Sequence, residues 1–186
     1  MVSRISLIAV LAMAAAACEP TGGTTSQTTE GPATEPTHQA VGEVLKLDPE
    51  GLRLITPGTD GSELVAFGTA RDEVVPRLTA IEGEPTETGS MDECGPGPLT
   101  FVTLGDGLRL WFAEGQFSGW ESTGGVATLD GLSADADRSQ LEAAGITSFT
   151  EDSLGEAFEA GGIFGILAPD GQQVEVLHVG DNCFMR

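Results

Sequence analysis

Short stretches of apolar residues, separated by Gly, Pro and Asp, follow one another through residues 42–179. The stretches are GEVLKLDPEGLRLIT, interpreted as a strand pair, then ELVAFG, LTFVTL, LRLWFA, FSGW, ITSFTE, GIFGILA and VEVLHV. Their lengths and their alternation are typical of β-strands. Because the tight turns GDG, EGQ and PDGQ join neighbouring stretches, the pattern predicts antiparallel meanders.

Two windows follow the period of a helix instead. In ARDEVVPRLTAI, the apolar residues between Val74 and Ile81 fall on one face. Thr69 and Asp72 have the spacing of a capping box at the start of this window. Pro76 lies inside it and predicts a kink or a late start, because proline cannot donate a helix hydrogen bond.

The second helical window is DADRSQLEAA, which ends at Gly145. Each window is followed by three predicted strands, so a helix and a meander occur twice. The pieces GLRLWFAEGQFSGW and GIFGILAPDGQQVEVLHV share a strand-turn-strand register. We therefore expect an α+β fold in which two helix-plus-antiparallel-meander repeats, residues 62–120 and 129–186, form one domain over residues 41–186.

Residues 1–17 have the layout of a secretory signal peptide. Arg4 precedes an apolar run that ends at Ala17, and this run is too short to span a bilayer, where a helix needs about 20 residues. The segment AAAC resembles a bacterial lipobox, whose cysteine is acylated, so we expect lipidation at Cys18. Cleavage by the ordinary signal peptidase is the alternative, because Ala15 stands where a lipobox prefers Leu.

Residues 18–40 are rich in Thr, Pro and Gly and contain no large apolar side chain. Such a segment cannot bury enough surface to offset the entropy of ordering it, which predicts a disordered stalk. A flexible chain of this length spans about 25 Å. The N-terminal region thus predicts an exported protein, tethered by lipid to a membrane on its periplasmic or cell-surface side.

The sequence contains three cysteines, and lipidation of Cys18 leaves an even pair, Cys94 and Cys183. In an oxidising compartment such a pair favours one disulfide. Closing a loop of about 90 residues stabilises a fold by about 4–5 kcal/mol in the chain-entropy model. A zinc site or a reactive thiol is the weaker alternative, because neither cysteine has zinc-ligand spacing or lies in a CxxC motif.

The chain has 29 acidic and 8 basic residues, for a formal net charge of −21. Nucleic-acid binding needs a basic face that neutralises phosphates, so this balance excludes it. The simplest interpretation is that the charge keeps an exported monomer soluble. The alternative is that it attracts a basic protein partner.

Candidate catalytic and metal-binding groups lack the motifs that would support them. Ser118, His178 and Asp181 are the types found in a triad, but no G-x-S-x-G elbow surrounds the serine, and alternation places His178 half-exposed on the face opposite Val179. No cofactor motif is found. The acidic residues Asp130, Asp135 and Asp137 fail the spacing of a calcium loop, and capping of the second helix by Asp135 or Asp137 is the better interpretation.

Aromatic residues cluster on the predicted meander. Trp111, Phe117 and Trp120 are the candidate binding surface, on which a sugar or a peptide could stack. Burial in the core is the stronger alternative, because the domain is otherwise poor in large side chains.

The order of elements, with the segments FG before the first helix, DECGPGP, FSGW, LGEAFEAGGIFG and GDNCFMR, resembles a family of small exported bacterial lipoproteins. At fold level the arrangement is similar to the beta-lactamase inhibitor protein and to BamE-like modules, over Ser62 to Arg186. The resemblance implies a sheet that grips a protein partner. Some relatives carry an aspartate-semialdehyde dehydrogenase label, which implies a nucleotide loop and a catalytic cysteine. This sequence has no GxGxxG after a strand.

These observations together predict a membrane-anchored lipoprotein that acts by binding protein, as an adaptor or an inhibitor. The alternatives are a small-ligand-binding or hydrolytic module and a purely structural envelope protein. A binding protein should expose an apolar or aromatic patch, whereas an enzyme should have a deep pocket with convergent titratable groups.

Overall fold

The computed structural model describes residues 42–151 and 153–184. The expected signal peptide at residues 1–17, Cys18 and the expected stalk at residues 18–40 lie outside the described residues. In the part of the chain that is described, no helix has both the length and the apolar character needed to cross a bilayer.

The described residues form eleven strands and two helices. The strands are β1 (Val44–Asp48), β2 (Gly51–Ile55), β3 (Ser62–Ala66), β4 (Glu87–Met91), β5 (Leu99–Leu104), β6 (Leu108–Ala113), β7 (Gln116–Ser122), β8 (Thr150–Glu151), β9 (Glu156–Ala160), β10 (Ile163–Leu167) and β11 (Val174–Gly180). The helices are α1 (Arg71–Glu82), between β3 and β4, and α2 (Arg138–Ala143), between β7 and β8.

The strands make two antiparallel sheets. The small sheet has the order β1-β2-β3, and the large sheet has the order β4-β5-β6-β7-β11-β10-β9-β8. The predicted N-terminal strand pair is the β1–β2 hairpin, in which Lys46 lies opposite Arg53. The last strand, β11, occupies the middle of the large sheet, between β7 and β10.

The α+β expectation is correct at a coarse level only, because the described chain is mainly antiparallel β-sheet with two helices. Each helix is followed by four strands rather than the predicted three, since the sequence pattern does not predict β4 or β9. The two segments are not clear copies of one unit. The first helix has 12 residues and the second has 6, β8 has only 2, and the small sheet precedes both segments.

One face of the large sheet, here called the helix face, carries the main hydrophobic core. Alternate residues of the central strands point into it, namely Val102, Leu104, Leu108, Leu110, Phe112, Phe117, Trp120, Leu177 and Val179. Both helices and the small sheet cover this face through Val74 and Leu78 of α1, Leu141 of α2, and Leu52 and Leu54 of β2.

The two helices begin differently. The N-cap position of α1 has no side-chain capping bond, and the Thr69 hydroxyl instead donates to the carbonyl of Ala66 at 2.8 Å. The capping box expected from Thr69 and Asp72 is therefore wrong. At α2, the Asp137 carboxylate accepts from the Gln140 backbone N–H at 2.9 Å, and the Gln140 side chain accepts from the Asp137 N–H at 2.8 Å. Of the two residues predicted to cap this helix, Asp135 and Asp137, it is therefore Asp137 that does so.

The opposite face of the large sheet, here called the open face, carries a smaller buried cluster made of Cys94, Leu99, Phe101 and Trp111. Cys94, after β4, and Cys183, after β11, form a disulfide with a Cα–Cα distance of 5.3 Å, which confirms the predicted pair. The bridge holds the C-terminal segment, residues 181–184, against this face. Gly119 permits the close approach, since a Cβ there would lie 2.0 Å from the carbonyl oxygen of Asp181.

Candidate functional site

The three aromatic residues expected as a binding surface, Trp111, Phe117 and Trp120, are each 0% exposed. Phe117 and Trp120 point into the helix-face core, where the Trp120 indole donates to the carbonyl of Asp48 at 3.0 Å. Trp111 lies on the open face in the buried cluster, with its ring 5.3 Å from that of Phe101. The candidate binding surface at these residues is therefore wrong, and the stronger alternative, burial in the core, is confirmed. They are core residues because other elements cover them: the helices and the small sheet pack over Phe117 and Trp120, and Leu99, Phe101 and Cys94 pack around Trp111.

A different set of side chains crosses the open face where seven strands lie side by side. In order from β4 to β9, its members are Glu87, Thr103, Arg109, Glu121, His178, Phe164 and Glu159. Each residue is the direct cross-strand partner of the next, so all of these side chains point to the same side of the sheet. We call this set the cross-strand row.

Arg109 is held flat over the open face. Its guanidinium forms an ion pair with Glu87 at 2.8 Å, and its Nε donates to the Thr103 hydroxyl at 3.1 Å. The same group lies 4.6 Å from the ring centre of Phe101 and 5.7 Å from that of Trp111. These contacts cover the buried aromatic rings and direct the charge of Arg109 towards Glu87.

Glu121 stands between Arg109 and His178 in the row and makes no ion pair with any described residue. Burial raises the pKa of its carboxyl group, and the charge of Arg109 and the indole N–H of Trp111 offset this only in part. That N–H is buried and lacks a hydrogen bond of normal geometry to a described atom, so we interpret its effect on Glu121 as electrostatic. Glu121 is thus a partly desolvated carboxyl that forms no ion pair with a described residue, although the charge of Arg109 acts on it.

An aromatic group adjoins Glu121 in the row. The Phe164 side chain is 49% exposed, and its ring stacks on the His178 ring at 5.7 Å between centres. The ring of Phe184, from the C-terminal segment, meets His178 edge-on at 4.9 Å. The amide nitrogen of Asn182 lies 3.0 Å from Nδ1 of His178. The disulfide therefore helps to position the side chains that support the exposed ring of Phe164.

The structure places the three triad candidates near one another but pairs them differently. The Ser118 hydroxyl donates to the carbonyl of Trp111 at 3.5 Å, and the backbone N–H of Asp181 donates to the carbonyl of Ser118 at 2.9 Å. The His178 ring contacts Asn182, not Ser118 or Asp181. His178 is half-buried on the face opposite Val179, as predicted.

The acidic residues around the start of α2 serve local structure. Asp137 caps the helix, and Asp135 accepts a hydrogen bond from the Ser133 hydroxyl. Asp130 is exposed on the preceding loop. Within residues 42–151 and 153–184, no three side chains of His, Cys, Asp or Glu come together in a way that could hold a metal ion.

Comparison of the chain with protein-family models gives no match, and neither do comparisons with curated proteins and with solved structures. The resemblance to small exported lipoproteins is therefore carried by the sequence motifs quoted above. Because no known protein matches, a function for the described domain has to be argued from its own geometry, above all that of the cross-strand row.

Proposed function

We propose that this protein is exported, is anchored to a membrane through lipid on Cys18, and binds a basic protein partner through the cross-strand row. The layout of residues 1–17 and the AAAC segment support export and lipidation. Two or three acyl chains would anchor the protein stably, whereas one would be marginal. The disulfide fits an oxidising compartment. Residues 18–40 would hold the domain away from the lipid surface as a monomer.

The observation that carries the binding proposal is the carboxyl group of Glu121. It is partly removed from water and forms no ion pair with a described residue, and the charge of Arg109, which pairs with Glu87, offsets the burial only in part. Desolvating a charge without a direct partner is unfavourable. A Lys or Arg side chain from another protein would supply a direct counter-ion.

The exposed ring of Phe164 gives such a partner an apolar contact beside the charge. Exposed aromatic rings on a rigid support are frequent anchors of protein interfaces. A cation that reaches Glu121 would also pass close to the face or edge of this aromatic group, which adds a cation–π attraction. Glu159 follows Phe164 in the row and extends the acidic character beyond the ring.

The charge of the whole chain supports a basic partner. A net charge of −21 repels acidic proteins and attracts basic ones over a distance set by the salt concentration. Charge of this kind raises the rate of association, while the local contacts at Glu121 and Phe164 would determine the lifetime of the complex. Binding should therefore weaken strongly as salt is added.

We also propose that α1 to β7 and α2 to β11 are diverged copies of one unit. The order helix and four strands is the same in both, and the last strand of each segment, β7 and β11, pair in the middle of the large sheet. In that interpretation the cross-strand row spans the junction, with Arg109 and Glu121 from one copy and His178 and Phe164 from the other. The resemblance to the inhibitor family, which grips its partner with a sheet, supports this use of the junction.

The binding proposal can be tested by affinity capture with the compact unit His38–Arg186, which contains both hydrophobic clusters and the disulfide. The oxidised unit is immobilised and exposed to envelope extract at about 50 mM salt. The captured proteins are quantified by mass spectrometry for the wild type, Glu121→Gln, Phe164→Ser and a control, Glu73→Gln, on α1. We expect a basic protein that is enriched by the wild type and the control and is released at about 300 mM salt.

The two row variants should reduce the enrichment about tenfold or more, since each removes an interaction at the centre of the proposed contact. Equal capture by all four proteins would show that the row is not the binding site. If no protein is enriched at low salt, the proposal of a basic protein partner fails.

The anchor is tested separately on the full chain. In bacteria fed an alkyne fatty acid, the wild type should become labelled and should sediment with membranes, whereas Cys18→Ser should do neither. A wild-type protein that is processed but carries no fatty acid would support ordinary secretion instead.

A further inference from the structure

A cavity in the described part of the chain lies away from the cross-strand row, on the side of the helix face. It is a groove of about 580 Å³ between the turn that follows β1, the loop of residues 128–136, α2 and the turn that joins β9 to β10. This volume falls within the range of sites for small molecules, about 300–1,000 Å³. Nothing in the cross-strand row contributes to it.

The floor of the groove is apolar. Leu47 and Ile163 are buried there, and Leu132 and Ile146 are half-buried beside them. At the opening, the Leu129 side chain is 56% exposed, which makes it the most exposed large apolar side chain of the described residues. A hydrocarbon or aromatic body placed in the groove would cover this surface and gain the free energy of removing it from water.

The charged residues that line the groove are all acidic. They are Asp48, Asp130 and Asp135, and no Lys or Arg lines it. The Asp48 carboxylate is already satisfied by the Nε of Arg53 at 2.8 Å and by a backbone N–H. Asp135 accepts a hydrogen bond from Ser133, whereas Asp130 is exposed on the loop and forms no ion pair with a described residue. The electrostatic preference of the groove is therefore for a cation near Asp130.

We infer that this groove binds a small organic cation that has an apolar body, such as an aralkyl or alkyl amine. The apolar floor would take the body, and Asp130, with Asp135 on the same loop, would supply the negative charge for the ammonium group. An organic acid of the same shape would meet two like charges, and a neutral alcohol would gain the apolar contact without the ion pair. The groove is independent of the proposed protein-binding row, so either can fail without the other.

A matched set of probes separates these contributions. 4-Phenylbutylamine, 4-phenylbutanol and 4-phenylbutyrate share the aromatic body and differ in charge. Each is titrated into the oxidised unit His38–Arg186 at low salt, and binding is followed by the chemical shifts of methyl groups. The amine should bind about fivefold more tightly than the alcohol, which is the upper range for one partly exposed ion pair. The acid should bind more weakly than the alcohol. The shifts should be confined to methyl groups that line the groove, among them those of Leu47, Leu129, Leu132, Ile146 and Ile163.

Variants give a second test. Asp130→Asn should abolish the preference for the amine over the alcohol, whereas Asp60→Asn, the same charge change on an exposed turn between β2 and β3, should leave it unchanged. Ile146→Trp should fill the groove and weaken all three probes together. The shift map of the wild type does not depend on whether that variant folds.

Four results would overturn the inference. The first three are an alcohol that binds as tightly as the amine, shifts that map outside the groove, and no shift for the amine up to its solubility limit. An equal loss of preference in Asp130→Asn and Asp60→Asn would do the same, because it would show that only the overall charge of the protein attracts the amine.

Discussion

The two faces of the large sheet are stabilised by different interactions. The helix face is covered by two helices and the small sheet, and its core residues are almost all apolar. Among the described residues, the open face has only the small buried cluster around Phe101 and Trp111, which lies beneath Arg109 and is bordered by the disulfide. Burial stabilises the first face, while a covalent link and a cation–π contact supplement it on the second. This difference leaves the open face able to present polar groups such as Glu121.

Removing the Cys94–Cys183 disulfide should have the largest effect on the difference in stabilisation between the two faces. The double variant Cys94→Ser with Cys183→Ser should lose about 4 kcal/mol of the free energy of unfolding, because the bridge closes a loop of 89 residues. Urea titration of the variant, and of the wild type with and without a reductant, measures this. A loss below about 1 kcal/mol would show that the open face holds the C-terminal segment without the bridge.

Two identical truncations, one on each face, compare the packing directly. Leu110→Ala in the helix-face core should cost about 3–4 kcal/mol, because that core is enclosed and cannot close around a cavity. Leu99→Ala in the open-face cluster should cost about 2 kcal/mol, because fewer neighbours surround it and they can relax. Both leucines are buried, so unfolding midpoints can be compared without a correction for exposure. Equal losses would mean that the two faces are packed equally well.

Gly119→Ala tests how closely the C-terminal segment lies on the open face. The new Cβ would lie 2.0 Å from the backbone oxygen of Asp181, so the segment must move, at a cost of about 1–3 kcal/mol. Hydrogen exchange should then increase at residues 181–184. Gly125→Ala is the matched control, since no atom lies within 4 Å of its Cβ position. If both variants behave alike, the close approach does not contribute to stability.

The smallest predicted effect concerns the charge of Glu121. Its pKa is raised in the folded protein, so ionisation of this carboxyl opposes folding. The penalty is absent below the unfolded pKa, near 4.3, and is complete once the pH exceeds the folded pKa. Glu121→Gln should therefore be more stable than the wild type at pH 7, by less than about 1 kcal/mol, and the difference should disappear below about pH 4.

Thermal unfolding at a series of pH values measures this difference. Glu175→Gln, at an exposed position of β11, is the control and should show no comparable gain. A variant of Glu121 that is less stable than the wild type at pH 7 would show that attraction to Arg109 outweighs the burial of the carboxyl group.

Much of the framework follows from local patterns in the sequence. A few neighbouring residues determine the β1–β2 hairpin, the end of α1 before Gly83 and the cap at Asp137. The number of cysteines predicts the Cys94–Cys183 bridge. The two strands that the sequence does not predict, β4 and β9, lack a local pattern of this kind. The sequence of β4 is ETGSM, and β9 buries only Phe158, so backbone pairing, not apolar alternation, makes them strands.

The candidate site could not be derived from the sequence, because it depends on strand register. Glu121 and Phe164 are far apart along the chain, and they come close only because β11 lies between β7 and β10 and places His178 between them. A shift of one residue in any of these pairings would turn a side chain to the other face. For Trp111, Phe117 and Trp120 the sequence favours burial, which is confirmed, but it does not show that Trp111 lies on the opposite face from Phe117 and Trp120, because that depends on strand register.

The position of β11 also has a consequence for biosynthesis. A chain is made, and crosses any membrane, from its N-terminus onwards, yet the strand that joins the two halves of the large sheet is the last of the described strands to appear. Until β11 emerges, β7 and β10 each have a strand partner on one side only. The large sheet therefore cannot be completed before β11 has been made, and a truncation that removed β11 would take away the centre of the sheet, not its margin.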